Sequence, residues 1–389
     1  ISLFYYLVTR KILYPLLSLL LVLPFADSNM PFAMAALNSR PVLLLLLGVI
    51  IFIETDVRPK IDKSVNGFLL YFLILGYYLM EVNGVGNILR PVSYVLVVII
   101  IPVVVKHLLY NDRDNLLRSI VFLYFIVYLL SFMNFGENTS LVRYGRFSGI
   151  FSNPNALGIF SFLFFMLSYI IFKFQGRLFN DWERYLVLGI ILTGLLYSRS
   201  RSGIFAVAIF LSSIYIYERW NFTGLLFMII SVVIFESFFS FESFIRGLGL
   251  ADFFRLESLE TGSGRKIAML EAWGKIKENP IDGYGIGFTE RFFDENQLEM
   301  QRKGHAGSVH NSFLWVWLDM GLLGLLSFIW GWFRWFVNSF KYCILVLPVG
   351  LAVAFSSNVE SWLVGSLNHV TIQLIIILCL LSNVTFLER

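Results

Sequence analysis

The feature of this sequence that most limits its fold is a series of apolar stretches, each long enough to approach a bilayer span and bounded by short polar clusters. The composition agrees, because 58% of the 389 residues are hydrophobic and only 14% are charged. That balance leaves too little polar surface for soluble domains and excludes a soluble enzyme, a nucleic-acid-binding module and a disordered scaffold. The predicted spans lie at about 12–33, 37–53, 66–82, 90–107, 117–135, 154–174, 184–198, 202–217, 221–240, 309–333, 341–358 and 367–387.

These spans predict an all-α polytopic membrane protein with about twelve transmembrane helices and one large polar loop. Residues 1–240 would form a bundle of about nine helices, and residues 309–389 a bundle of about three. The segment 241–308 differs in kind, because it is rich in acidic residues and glycine and has little apolar continuity. We expect a large loop there, with one weakly amphipathic helix over Lys266–Asn279 that ends at Pro280. Ser263 is the expected N-cap of this helix, and Gly283–Gly287 is expected to be a flexible turn.

The distribution of Lys and Arg predicts the orientation, since cytoplasmic loops hold the excess. With the N-terminus inside, the inner loops carry fifteen of these residues and the short outer loops six. Both termini are therefore predicted in the cytoplasm and the 241–308 loop outside. All six outer cations are Arg, which binds phosphate in a bidentate manner, although Arg also anchors helices at lipid headgroups. They are Arg40, Arg90, Arg143, Arg146, Arg199 and Arg201.

The first Arg pair, Arg143 and Arg146, precedes Asn153-Pro154-Asn155 and a predicted span. Asn at an N-cap and Pro in the first turn explain part of this motif as a helix start with no further function. The amides and dipole of a helix start also favour anions. We therefore predict that Arg146 binds phosphate, with Arg143 and Asn155 as neighbouring substrate-binding residues.

The second pair, Arg199 and Arg201, lies in the short outer turn 198–203, together with three serines. A headgroup anchor needs only one cation, whereas a diphosphate at the membrane surface requires several donors. Arg265, in the loop, falls in the first turn of the predicted helix. A cation there opposes the helix dipole unless an anion binds beside it.

His310, followed by Asn311, stands where the loop returns to the membrane. A histidine at such a boundary can titrate near neutral pH and act as a general base, although an isolated interfacial His can also simply bond to headgroups. The four histidines do not group into a metal-binding pattern, and no paired cysteine motif occurs. We expect neither a metal site nor a cofactor.

In this order, the four segments resemble the superfamily of O-antigen ligases and polymerases. The resemblance covers the second half of the chain best, in Gly264-Arg265 with Trp273, in the segment 280–287, and in His310-Asn311 followed by Gly321. The further predicted substrate-binding residues are Tyr284, within 280–287, Asn311 and Arg199.

The first half of the chain adds two matches to this resemblance. Arg201 is similar to the ligase arginine of an Arg-x-x-x-Leu motif, although Phe205 stands where Leu is expected. Arg146 with 152–155 resembles the corresponding loop of repeat-unit polymerases.

The resemblance implies a metal-independent, inverting glycosyltransferase of the bacterial inner membrane that acts at the periplasmic face. His310, Arg201 and Arg265 would be the catalytic residues. The implied partners are an undecaprenyl-pyrophosphate-linked glycan donor and acceptor and membrane lipids, with a chain-length regulator as a further candidate and no nucleic acid.

Three functions remain open at this stage. A repeat-unit polymerase leads, an O-antigen ligase with lipid A-core as acceptor is the alternative, and a lipid-linked sugar transporter is third. Transporters usually show repeated halves and polar sites near the midplane, and neither pattern is evident here. Asp319, about nine residues into a span, is a functional candidate by its depth, or a structural acid with a partner on another helix. Glu360, in the last outer turn, is similarly open.

Overall fold

The computed structural model describes residues 2–53, 65–79, 85–133, 142–143, 146–238, 249, 251–254, 265–302, 307–365 and 367–384. Over these ranges the protein is all-α, apart from one hairpin of two-residue strands, β1 (Val142–Arg143) and β2 (Arg146–Phe147). The helices are α1 (Ser2–Thr9), α2 (Leu13–Ala26), α3 (Ala33–Ile53), α4 (Leu69–Leu79), α5 (Val85–Asn111), α6 (Arg113–Phe132), α7 (Pro154–Gln175), α8 (Asp181–Ser198), α9 (Arg201–Phe238), α10 (Ala251–Phe254), α11 (Arg265–Glu278), α12 (Phe288–Glu295), α13 (Gln297–Arg302), α14 (Ser312–Phe340), α15 (Val346–Val359) and α16 (His369–Ser382).

Six of the described helices are long and apolar enough to cross a membrane, and four shorter apolar helices accompany them. The chain is therefore a multi-pass membrane protein, but the predicted number of twelve spans is not confirmed. The predicted spans 202–217 and 221–240 correspond to the two parts of α9, which are separated by non-helical backbone at Asn221. The predicted span 184–198 corresponds to α8, which is not among the six because Asp181, Glu183 and Arg184 in its first turn lower its apolar character.

Helix α7 occupies the centre of the bundle. Nearly all of its side chains are buried, and it packs against α8, α9 and α16. It is apolar around its whole circumference, as a helix surrounded by other helices requires. A cluster of rings fixes its contact with α6, where Tyr128 stacks on Phe160 and Tyr124 meets Phe164 edge-on. These contacts hold the C-terminal half of α6 against the N-terminal half of α7.

Small residues bring α7 and α9 into close contact near their first turns. A Cβ atom at Gly203 would lie 2.6 Å from the carbonyl oxygen of Gly158, and one at Gly158 would lie 2.2 Å from Ser200. Only glycine fits at such distances, so the crossing depends on both residues. It joins the turn 198–201 to the beginning of α7.

Helix α14 is interrupted at Gly321, whose φ of 62° lies in the left-handed region. The segment 280–285 packs into this break and bonds its backbone groups. The Tyr284 and Gly285 amides donate to the Leu318 and Asp319 carbonyls at 2.8 and 2.9 Å, and the Leu322 amide donates to Pro280 at 3.0 Å. The break is therefore stabilised inside the protein, where unsatisfied backbone groups would be costly.

The sequence pattern predicted only a flexible turn at Gly283–Gly287. The structure instead has glycines with positive φ at 283, 285 and 287, and a Cβ at Gly283 would lie 2.4 Å from the Gly321 amide nitrogen. This turn is a packed element. The helix predicted just before it is present as α11, Arg265–Glu278, whereas its expected N-cap and Gly264 lie outside the described residues.

The turn between α2 and α3 is fastened to the segment that precedes α7. The Asn29 amide donates to the Ile150 carbonyl at 3.0 Å, and its side chain donates to the Phe151 carbonyl at 2.9 Å. The Ser152 amide donates to the Asp27 carbonyl at 3.0 Å. These bonds join residues more than a hundred positions apart and set one wall of the cavity described next.

Candidate active site

A cavity of about 400 Å³ opens where the turns at one end of the bundle meet. Three helices begin at it, α7, α14 and α16, and each has an Asn at its N-cap whose side chain accepts from the first-turn amides. Helix N-termini favour negative charge, so the cavity is suited to an anionic group. Its lining comprises Asp27, Arg146, Asn153, Pro154, Asn155, Ala156, Ile159, Ser308, His310, Glu360, Ser361, Trp362, Gly365, Asn368, His369 and Val370.

His310 and Arg265 share one carboxylate at the edge of this cavity. The Nδ1 atom of His310 lies 3.3 Å from Glu360 Oε2, and the Arg265 guanidinium donates to Glu360 Oε1. Only 6% of Glu360 is exposed. Burial alone would raise the pKa of its carboxyl, but the His310 hydrogen bond and the Arg265 charge outweigh it and hold the pKa below its ordinary 4.5.

The backbone positions this triad. His310 has a φ of 48°, a conformation that is uncommon for a non-glycine residue and concentrates at functional sites. Asn311 caps α14 by accepting from the Phe313 and Leu314 amides at 2.9 Å, and it donates to the Asn358 carbonyl at 3.0 Å. Asn311, predicted to bind substrate, thus fixes the orientation of the residue before it.

Arg146 and Asn155 lie together in the cavity wall. The buried guanidinium of Arg146 donates to Asn155 Oδ1 at 2.7 Å and to the Ser198 carbonyl, at the C-terminus of α8, at 2.9 Å. A cation is favourable at a helix C-terminus, so these bonds hold Arg146 in place. The side chain of Arg143 lies outside the described residues.

The turn with Arg199 and Arg201 adjoins the cavity wall, and neither residue is part of the described lining. Arg199 ends α8 in a left-handed conformation, with its guanidinium 5.9 Å from the ring centre of Phe253. Arg201 is the first residue of α9 and is half-buried. Ser198 connects this turn to Arg146 through the bond already described.

Tyr284 lies apart from the cavity lining. Its hydroxyl donates to the Lys275 carbonyl at 3.0 Å, and its ring stacks on Phe288 at 4.2 Å. These contacts join α11 to α12. Tyr284 therefore stabilises the segment that packs into the break of α14.

Asp319, which the sequence left open, is 7% exposed and accepts three hydrogen bonds at the start of α12. The donors are the Gly287 amide at 3.1 Å, the Thr289 amide at 2.8 Å and the Thr289 hydroxyl at 2.6 Å. It borders a second cavity of about 300 Å³ beside α4 and α5, but its oxygens face these donors. The geometry makes Asp319 a helix cap.

Sequence patterns did not identify Asp27 or His369 as site residues, and they left Glu360 undecided. These residues come from the α2–α3 turn, from the start of α16 and from the end of α15. No local spacing connects them, because they meet only after the helices have packed. Within the described ranges, no group of three or more His, Cys, Asp or Glu side chains is arranged to hold a metal ion.

Comparison with known proteins supports the motif analysis. No curated protein matches the chain. The family model described as O-antigen ligase matches residues 186–329, a region that contains Arg201, Arg265 and His310 but neither Arg146 nor Glu360. The resemblance to the superfamily of O-antigen ligases and polymerases is thus confirmed over residues 186–329, a region that contributes Ser308 and His310 to the cavity lining.

Proposed function

We propose that this protein is an inner-membrane glycosyltransferase that polymerises undecaprenyl-pyrophosphate-linked repeat units at the periplasmic face. The observation that carries the proposal is the His310–Glu360–Arg265 triad at a cavity where three helices begin. A base oriented by a carboxylate suits the activation of a sugar hydroxyl. An anion-favouring cavity suits a diphosphate. The family match supports the superfamily, and the polymerase assignment goes beyond it.

In the proposed reaction, His310 donates its Nδ1 proton to Glu360 in a hydrogen bond, so the lone pair of Nε2 accepts the proton of the acceptor hydroxyl. The hydroxyl oxygen then bonds to the anomeric carbon of the donor sugar. The bond from that carbon to the pyrophosphate oxygen breaks, and the leaving group keeps the electron pair. Attack opposite the leaving group inverts the anomeric configuration. Glu360 stabilises the imidazolium that forms.

Arginines and helix N-termini would stabilise the negative charge that grows on the pyrophosphate, with no need for a metal ion. Arg146 lines the cavity beside the first turn of α7. Arg265 is held by Glu360, and Arg201 starts α9 next to the turn that Arg146 contacts. Such preorganised donors cost no reorganisation during the reaction. The apolar helices would hold the polyprenyl chains.

The test is incubation of the purified protein with a synthetic lipid-pyrophosphate repeat unit as the only substrate. A ladder of longer products, unchanged by EDTA, is expected for a polymerase. The description of the family model favours one alternative, an O-antigen ligase. No turnover until lipid A-core is added would support that alternative and overturn the polymerase.

The variant His310→Ala tests whether formation of the product ladder depends on the His310–Glu360–Arg265 triad. We expect the variant to lose product formation while its abundance in the membrane stays normal, because general-base catalysis typically contributes about 10²- to 10⁴-fold. The matched control is His107→Ala, since His107 lies on α5 and hydrogen-bonds to Asn111 on the same helix. Near-normal activity of His310→Ala would exclude His310 as the base.

A further inference from the structure

Two polar side chains of the main cavity take no part in the chemistry proposed above. Asp27 follows α2, and His369 is the first residue of α16. Both line the cavity that contains His310 and Glu360. They meet at one short segment, because Asp27 Oδ1 accepts from the Ser152 hydroxyl at 3.1 Å and the His369 ring lies 5.4 Å from the Phe151 ring.

Of these two residues, His369 gives the stronger evidence for a bound partner. Only 1% of the residue is exposed, and neither ring nitrogen has a hydrogen-bond partner among the described residues. Buried polar atoms are nearly always paired, so an unpaired imidazole in a residue that lines a cavity indicates a partner that the described residues do not supply. A neutral imidazole offers one donor and one acceptor, which matches a hydroxyl group.

The carboxyl group of Asp27 restricts the chemical class of that partner. A carboxylate accepts hydrogen bonds from hydroxyl groups and repels phosphate. Burial raises the pKa of Asp27 to about 6, and its hydrogen bond from Ser152 and the Arg40 charge only partly offset this. A hydroxyl-rich, uncharged ligand therefore fits this wall better than a diphosphate does, whereas the diphosphate fits Arg146 and the first turn of α7.

We propose that Asp27 and His369 bind hydroxyl groups of the acceptor sugar and so form a specificity sub-site next to the base His310. This inference rests on the proposed glycosyl transfer. The occupant it names is the neutral, non-reducing-end sugar of the acceptor chain, and the donor's pyrophosphate lies outside this sub-site.

The kinetic test separates acceptor from donor. A labelled lipid-pyrophosphate donor is held at saturation, and the one-repeat oligosaccharide, released from the cell's own polysaccharide by mild acid, is varied as a soluble acceptor. For Asp27→Asn and His369→Leu we expect the acceptor KM to rise about tenfold, the effect of one lost hydrogen bond, with donor KM unchanged. His369→Gln, which keeps a donor and an acceptor, should recover part of the loss. The control is Thr193→Ala, an exposed position on α8.

A binding measurement on the same oligosaccharide needs no turnover. His310→Ala should bind it as the wild type does, whereas the Asp27 and His369 variants should bind it about tenfold more weakly. If the wild type transfers sugar but these variants keep their acceptor KM and binding, or change only donor KM, the sub-site is wrong and the proposed function stands. If the wild type transfers nothing yet binding depends on Asp27 and His369, the transferase assignment fails while the sugar site remains.

Discussion

Glu360 and Asp319 are buried to nearly the same degree, at 6% and 7% exposure, yet their partners differ in kind. The partners of Glu360 are two side chains that carry or can carry positive charge, Arg265 and His310. Asp319 is bonded to backbone amides and one hydroxyl, at Gly287 and Thr289.

This difference shows how the environment decides what a buried acid does. The donors to Asp319 are two backbone amides and one hydroxyl at the start of α12, so that carboxylate holds α12 against α14. Of the partners of Glu360, His310 lines the cavity, and its imidazole is a group that can accept or donate a proton. Burial alone, which made Asp319 a candidate in the sequence, does not separate the two roles.

Glu360→Gln should give the largest effect on activity. The amide keeps the size of the side chain but removes the charge that orients His310 and stabilises its protonated form, so we expect turnover to fall roughly 100-fold or more. The measurement is product formation from the lipid-linked repeat unit at matched protein abundance. The control is Glu218→Gln, which affects only the surface pair with Lys173. Wild-type turnover in Glu360→Gln would contradict the proposed difference in role between Glu360 and Asp319.

Gly321→Ala should have the largest effect on stability. A Cβ there would lie 1.8 Å from the Ile281 carbonyl oxygen, and the residue has a φ of 62°. We expect a loss of about 2 kcal/mol or more and a lower melting temperature in detergent, because both the clash and the left-handed backbone oppose any side chain. Gly189→Ala, where the new methyl group meets no atom within 4 Å, is the control. Equal melting temperatures would mean that the 280–285 segment can move aside.

Asp319→Asn should lower stability and spare catalysis. The new amide group faces donors, so at least one of the three bonds is lost, at a cost of about 1–3 kcal/mol. Thermal unfolding should show the loss, while kcat measured well below the transition stays near the wild-type value. Asp294→Asn, exposed on α12, provides the comparison. A large fall in kcat with normal stability would instead place Asp319 in the chemistry.

The smallest expected effect is a pH-dependent change in melting temperature that comes from Asp27. It extends the comparison to a third carboxyl group. Its pKa is about 6 in the folded protein against 3.8 for a solvent-exposed aspartate, chiefly because of burial. Ionising it therefore costs stability, and the cost appears as pH rises from about 4 to about 6 and then stays constant. Relative to Asp27→Asn, the wild type should lose melting temperature over that window. A difference that does not vary between pH 4 and pH 7 would contradict the raised pKa.

Local patterns in the sequence were sufficient for several elements. The N-cap role of Asn153 and the first-turn position of Pro154 are confirmed in α7, because capping depends on residues within one turn. The helix after Gly264 is also present, as α11. In contrast, the glycine turn 283–287 was wrong as a flexible turn, since its conformation is set by the break in α14, which lies more than thirty residues further along the chain.

The same limit applies to the site. Arg146, Asn155 and His310 were named from local motifs, and the structure brings all three to one cavity. Arg201 and Tyr284 were named with equal reason, yet neither is part of the described lining. A motif specifies the types of its residues and their positions in the chain. It does not specify the direction in which a packed helix presents a side chain.

The sequence by itself determined the membrane setting, the helical class and the superfamily resemblance, because apolar length, composition and short motifs are properties of consecutive residues. Only the tertiary structure decided that Glu360 joins His310 to Arg265, that Asp319 caps a helix, and that Asp27 and His369 meet in one wall. These groupings depend on helices that pack side by side, and helix packing brings together residues whose separation along the chain exceeds any local period.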